Sequence, residues 1–226
     1  MDNVLAVREE QCNVMKSVLQ FINKYDKQTS ILKGGTALMF GYHLDRFSED
    51  IDLDSTNRNL GKIINEFCNI HSYGFSIKKD TQTVKRYMIE FKPGKKIKVE
   101  ISYRNKELSS QDYEIFDGIK IYKIENLFGM KLNAYNNRDK IRDLYDIVFI
   151  ANNYRDQLSN FAVNMLKTAL SFKGLEQFDY LIQTQEDELI DKEKLGNDFL
   201  QLFDDMGLID DQTDLDLEDE DDLELV

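Results

Sequence analysis

The middle of the chain constrains the fold most, because three successive segments there show the two-residue alternation of β-strands. Residues 74–79, 84–92 and 96–103 each alternate apolar and polar side chains, and Pro93-Gly94 supplies a turn between the last two. From about residue 124 the apolar residues recur at helical spacing instead. That second pattern predicts helices near 124–136, 139–152, 156–172, 176–190 and 193–204. The change of period predicts an α+β protein whose C-terminal half is helical.

The N-terminal part of the chain predicts further elements of the α+β half. Helical spacing favours helices at about 4–25 and 60–71. A short apolar run favours a strand at Ser30–Lys33, and alternation favours one at Asp50–Leu53. A helix is expected to begin at Thr36, directly after the Gly34-Gly35 pair. We therefore predict an α/β core over residues 1–120, a helical domain over 121–206 and a separate acidic tail over 207–226.

Charge is distributed unevenly along the 226 residues. The net charge is −13, but residues 204–226 alone hold twelve Asp and Glu and no Lys or Arg. Like charges at that density repel one another and hinder compaction, so the tail is predicted to be disordered, or else to act as an interaction segment. Residues 78–142 hold sixteen Lys and Arg against nine Asp and Glu. This positive middle suits a polyanionic ligand such as a triphosphate or RNA, although a solvated lysine-rich surface would look the same.

Asp50 and Asp52 form the most informative pair of polar residues. Alternate side chains of a strand point to opposite faces, so the two carboxylates should lie together while Ile51 and Leu53 face the core. Two adjacent carboxylates repel, and a divalent cation that prefers oxygen ligands would compensate them. Mg²⁺, or alternatively Mn²⁺, is the expected cation. Two solvated acids on a polar strand face are the simpler interpretation of an isolated pair.

The segment before this pair favours the metal interpretation. Gly34, Gly35 and Thr36 stand between a predicted strand and a predicted helix. Glycine has no Cβ, so backbone N–H groups can approach a ligand closely, and the start of a helix favours a phosphate. The hydroxyl of Thr36 could add a further donor. A phosphate-binding turn beside a metal site is what nucleotidyl transfer requires.

A third carboxylate is expected from a neighbouring strand. Glu100 lies on the polar face of the 96–103 segment, whereas Asp54 has the same parity as Asp50 and Asp52. Glu100 would encircle a metal better because it comes from a separate strand, but Asp54 remains an alternative. Three carboxylates could hold two metal ions about 4 Å apart.

Two blocks of the sequence resemble the AbiEii/AbiGii nucleotidyltransferase toxins, which belong to the DNA polymerase β-like superfamily. The first block is Lys33–Leu38 followed by Arg46–Leu53. The second is Lys131–Ala134, then Arg138 and Lys140, then the RDLYDI segment of residues 142–147. The resemblance covers about residues 30–150.

The resemblance implies a polymerase-β-like mixed sheet flanked by helices, followed by a helical C-terminal half. By position it implies that Gly35 and Thr36 hold the triphosphate and that Asp50 and Asp52 hold Mg²⁺. It further implies that Lys131 contacts phosphate, and that a carboxylate of the second block completes the catalytic or nucleotide site. In that block Arg142 and Asp143 are expected to bind the nucleotide, and Asp146 is expected to be catalytic together with Lys131. The alternative is that Arg142, Asp143 and Asp146 form ion pairs on a helix surface.

The expected function is transfer of a nucleoside monophosphate from an NTP to RNA, with tRNA as the leading acceptor. The resemblance implies a toxin of a toxin–antitoxin or phage-defence system, and so an antitoxin partner. The alternatives are transfer to a protein hydroxyl or a small molecule, or an inactive nucleotide- or RNA-binding module. No apolar run approaches the roughly 18 residues of a membrane span, and the N-terminus is too polar for a signal peptide, so we expect a cytoplasmic protein.

Overall fold

The computed structural model describes residues 2–209, and these divide into two compact units between Leu127 and Phe128. Residues 210–226 of the predicted tail (207–226) lie outside the described residues, and the predicted domain boundaries stay a prediction. The described residues form seven helices and a seven-stranded mixed sheet, as the α+β prediction requires. Within residues 2–209, every helix falls short of the length and apolarity that crossing a bilayer requires.

The first unit contains the whole sheet. Its helices are α1 (Asp2–Tyr25), α2 (Gly34–Gly41) and α3 (Leu60–Ile70). Its strands are β1 (Ser30–Lys33), β2 (Asp50–Ser55), β3 (Gly74–Asp80), β4 (Val84–Lys92), β5 (Lys95–Ser102), β6 (Tyr113–Phe116) and β7 (Ile119–Tyr122). The sequence had not indicated the short β6–β7 hairpin.

The strands lie in the order β3-β4-β5-β2-β1-β7-β6. The pairs β2–β5 and β1–β7 are parallel, and the other neighbours are antiparallel. One sheet face is apolar because alternate side chains point to it, and Ile51, Val99 and Ile101 there are fully buried. Helices α1 and α3 pack together, with the Phe21 and Phe67 rings 5.5 Å apart. This arrangement leaves the other face of β2 and β5 to polar side chains.

The second unit is helical. Its elements are α4 (Ile124–Asn137, which begins in the first unit), α5 (Ile141–Tyr154), a 3₁₀ turn at Arg155–Gln157, α6 (Asn160–Thr184) and α7 (Lys192–Asp205). The two helices predicted over 156–172 and 176–190 are one run with a kink at Gly174, whose φ is +62°. Gly207 follows the end of α7 with a positive φ. Leu208 is buried, and its N–H donates to the Phe203 carbonyl. The chain is therefore still ordered at residue 207, the predicted start of the tail.

Candidate active site

Strand β2 presents its acids and its apolar residues on opposite faces, as the alternation predicts. Ile51 and Leu53 are buried, while Asp50 and Asp52 are partly exposed. Parallel pairing with β5 places Glu100 directly beside Asp52. The structure therefore brings Asp50, Asp52 and Glu100 together on one face of two neighbouring strands.

Two basic residues that the sequence analysis did not single out form ion pairs with Asp50 and Glu100, the outer two of the three carboxylates. Lys98 Nζ is 2.5 Å from Asp50 Oδ2. Arg86 donates from Nε and Nη2 to Glu100 Oε2, over 2.8 Å and 2.6 Å. The strand registers Asp50↔Lys98 and Arg86↔Glu100 put each pair on the same face. The sequence did contain a signal for Lys98, because the alternation of β5 places Lys98 and Glu100 on the same face of the sheet.

Asp52, the central carboxylate, is the least compensated of the three. Burial raises the pKa of Asp52, Lys98 lowers it, and the charges of Asp50 and Glu100 raise it again. Within residues 2–209 the Asp52 side chain has neither an ion-pair nor a hydrogen-bond partner. An added cation would stabilise Asp52 most.

The three carboxylates fit a divalent cation by donor chemistry, since Mg²⁺ and Mn²⁺ prefer oxygen ligands. In the described part of the chain, however, no three acid, His or Cys side chains are already arranged around one cation position. Lys98 and Arg86 hold Asp50 and Glu100 instead. A metal bound here would compete with these two side chains for the carboxylates.

The Gly34-Gly35 turn lies directly against Asp52. Gly34 begins α2 with φ +75°, and a Cβ at this position would come within 3.0 Å of Asp52 Oδ2. A Cβ on Gly35 would come within 2.8 Å of Arg46 Nη2 and 2.9 Å of Ser48 Oγ. The side chain of the N-cap residue of α2, Lys33, makes no capping hydrogen bond. The turn thus places a helix start beside the carboxylates, where it can bind an anion.

Thr36 is placed differently from what a phosphate donor requires. Its side chain is buried, and its hydroxyl donates to the main-chain carbonyl of Asp50 and lies 3.0 Å from Ser48 Oγ. These contacts attach α2 to the start of β2. Arg46 and Ser48 are also buried beside this turn, against Gly35, where they brace it.

Asp54 has a structural environment that separates it from the site acids. It is 5% exposed, accepts a hydrogen bond from Lys33 Nζ at 2.6 Å, and accepts another from the Tyr122 hydroxyl at 3.0 Å. Burial raises the pKa of Tyr122 and the charge of Asp54 raises it further, so the phenol keeps the proton it donates. Glu100 is therefore the better candidate for the third carboxylate.

The second block of the sequence forms a buried ionic cluster in the helical unit. Lys131 on α4 places Nζ 2.5 Å from Asp146 and 3.6 Å from Asp143, both on α5. Arg138 donates to both oxygens of Asp143, at 2.6 Å and 3.0 Å. Asp143 and Asp146 are 1% and 0% exposed. The alternative of ion pairs on a helix surface is therefore wrong for these two acids.

Arg142 points elsewhere in the same unit. Its guanidinium binds both carboxylate oxygens of Asp187, in the loop between α6 and α7. The structure thus brings Lys131, Asp143 and Asp146 together and fixes Arg142 to a different loop. A contact between Arg142 and a nucleotide stays a prediction.

Two solved structures from Helicobacter pylori resemble the chain over nearly its whole length. JHP933 is 28% identical with a TM-score of 0.72, and the match covers 94% of this chain and 98% of JHP933. A candidate nucleotidyltransferase is 27% identical with a TM-score of 0.68, covering 90% of this chain and 95% of that one. No curated protein sequence matches the chain.

The family comparison covers the α/β core from the end of α1 and the helical unit together. The sequence model described as "Nucleotidyl transferase AbiEii toxin, Type IV TA system" matches residues 20–219. That range includes both blocks of the sequence and every carboxylate discussed above. The chain therefore belongs to the AbiEii family of nucleotidyl transferase toxins.

Proposed function

We propose that this chain transfers a nucleoside monophosphate from an NTP to RNA, with tRNA as the acceptor, and that this transfer is toxic in the cytoplasm. The observation that carries the proposal is the register of Asp52 with Glu100, beside Asp50 and against the Gly34 turn. It supports a metal-assisted phosphoryl transfer because carboxylates and an anion-binding helix start share one edge of β2. A toxin–antitoxin system implies a neutralising partner.

The residues of the first unit have distinct proposed roles. Asp50, Asp52 and Glu100 hold the divalent cation, Mg²⁺ or alternatively Mn²⁺. Such a cation, when bound, offsets negative charge on the reacting phosphate and on the departing diphosphate. The N–H groups of Gly34 and Gly35 bind the triphosphate, and Thr36 keeps their turn fixed to β2 through the Asp50 carbonyl.

The proposed roles in the second unit rest on the buried cluster. Lys131 contacts phosphate, and Asp143 and Asp146 fix its ammonium group and satisfy its charge until the substrate binds. Arg142 contributes positive charge to the nucleotide from its position at the start of α5. Lysine is a common phosphate ligand because it supplies a compact positive charge.

The choice of RNA as acceptor is supported by the positive charge of residues 78–142, which suits a polyanion. Transfer to a protein hydroxyl or to a small molecule would use the same carboxylates. An inactive binding module would bind the nucleotide at the glycine turn without needing the three carboxylates.

The test is incubation of the purified chain with each radiolabelled NTP and Mg²⁺, in the presence of total RNA or total protein. We expect label in the tRNA fraction, and a loss of about 10²-fold or more in Asp52→Asn. Asp80→Asn, which neutralises an exposed acid at the end of β3, serves as the control and should label normally. Label in protein alone would show that the acceptor is a protein and not RNA. No label with any NTP would favour the inactive binding module.

A further inference from the structure

A pocket of about 620 Å³ opens in the first unit beside Asp50 and has no role in the reaction described so far. Helix α1, the loop before β2, and strands β4 and β5 form its walls. Gln11 Nε2 donates to the Glu49 carbonyl at 3.1 Å, which attaches α1 to that loop. The residues that line the pocket are Val7, Arg8, Gln11, Phe47, Glu49, Asp50, Met88, Gly94, Lys95, Lys96 and Lys98.

The lining combines positive charge with apolar surface. Four basic side chains face two acids, and the guanidinium carbon of Arg8 lies 5.6 Å from the Phe47 ring centroid. Lys98 is held by Asp50 and Lys96 lies 3.5 Å from Glu90, whereas Lys95 is exposed at the rim. Basic groups beside an aromatic ring and a methionine suit a nucleic-acid strand, whose phosphates need cations and whose bases need flat apolar contacts.

The position of the pocket suits the acceptor and not the NTP, because the pocket lies apart from the proposed triphosphate site. The Gly34 turn, where the triphosphate is proposed to bind, lies against Asp52. The pocket borders Asp50, and neither Asp52 nor the glycine turn is among its lining residues. In phosphoryl transfer the attacking and leaving oxygens lie roughly in line on opposite sides of the phosphorus. With a triphosphate at the turn, the pocket is open space on the Asp50 side of the carboxylates where an attacking group can approach.

We propose that this pocket binds the acceptor strand of RNA next to its reacting terminal hydroxyl, an inference that rests on the proposed function. Arg8 and Lys95 contact backbone phosphates, and Phe47 contacts a base. The acceptor hydroxyl oxygen forms a bond to the α-phosphorus of the NTP, and the bond from that phosphorus to the diphosphate oxygen breaks. Diphosphate leaves and the hydroxyl proton passes to water.

The test compares the Arg8→Gln/Lys95→Gln double variant with Lys78→Gln/Lys79→Gln, which removes two exposed charges from β3 outside the pocket. Binding of fluorescently labelled bulk tRNA is measured by anisotropy without NTP, so that no transfer occurs. We expect about tenfold weaker binding in the pocket variant and a salt slope lower by about 1 to 2. The control variant should bind as the wild type does.

Transfer kinetics complete the test. We expect the KM for tRNA to rise about tenfold in the pocket variant and the KM for NTP to stay within about twofold. Equal tRNA binding in both double variants, or a rise in the KM for NTP alone, would overturn the proposal. Thermal melting and the single variant Lys95→Gln, at an exposed position, exclude misfolding as the cause. If the wild type labels no acceptor, the proposed function fails, whereas labelling without a pocket effect defeats only this inference.

Discussion

At the scale of single residues, Lys98 competes with a metal for Asp50. Its ammonium group lies on Asp50, and it also lowers the pKa of Asp52. We predict that Lys98→Met binds Mn²⁺ about three- to tenfold more tightly than the wild type in the absence of NTP, because no internal cation then competes for the carboxylates. Electron paramagnetic resonance of free Mn²⁺ measures this affinity. Unchanged or weaker binding, with Lys92→Met as the control, would contradict it.

Asp52 and Asp54 provide a second prediction at this scale, because the same substitution should lower stability at Asp54 but not at Asp52. Asp54→Asn leaves Lys33 without its carboxylate and should lower the free energy of unfolding by about 2 kcal/mol. Asp52→Asn removes a carboxylate that burial and two like charges disfavour, and should leave stability unchanged or raise it by up to about 1 kcal/mol. Urea unfolding of both variants checks the contrast. A larger loss in Asp52→Asn would mean that Asp52 is a structural acid.

The alternation of β2 predicted correctly which residues share its polar face, but it could not separate these two acids. Asp50, Asp52 and Asp54 have the same parity, and their difference lies in burial along the strand and in Tyr122, 68 residues further along the chain. A contact over such a separation leaves no local pattern. The same reason hid the pairing of Arg142 with Asp187, which lies 45 residues away.

At the scale of elements, the strand–turn–helix at Gly34 can be tested with a matched glycine. Gly34 and Gly118 have φ values of +75° and +76°, but only at Gly34 would a Cβ meet a neighbour, Asp52 Oδ2 at 3.0 Å. Both Gly→Ala variants should lose about 1–2 kcal/mol of stability from backbone strain. Only Gly34→Ala should also lose transfer activity, by about tenfold or more, because it displaces the carboxylate. Equal transfer activity in the two variants would show that the turn is not part of the active site.

Most elements that the sequence predicted well have enough residues to show a period, whereas the four-residue strand β1 was predicted from its apolar run. The strands over 74–103 and the helix α3 lie within one or two residues of their predicted bounds. Strands β6 and β7 have four residues each, too few for alternation to distinguish them from a loop. The break expected between the helices predicted at 156–172 and 176–190 is present as the kink at Gly174. Helix α6, however, ends at Thr184 instead of 190.

At the scale of the whole molecule, the order of the two blocks identified the family, and the family comparison confirms it over residues 20–219. The mixed sheet followed by helices is confirmed as well. What the sequence could not supply is the pocket beside Asp50, because α1, the loop before β2, and strands β4 and β5 each contribute only part of it. Such a space depends on packing between distant segments, which residue spacing alone does not encode.

The charge of the whole molecule leads to the last prediction. Residues 210–226 hold ten of the 42 Asp and Glu, so their removal changes the net charge from −13 to −3. Less repulsion should strengthen tRNA binding about three- to tenfold at low salt, and the gain should vanish at about 0.5 M salt because such interactions are screened. Anisotropy titrations of the truncated chain measure both. A full-length variant with these acids changed to Asn and Gln should bind as tightly as the truncation, since charge and not length is the cause. Weaker binding by either variant would instead show that the tail contributes to RNA recognition.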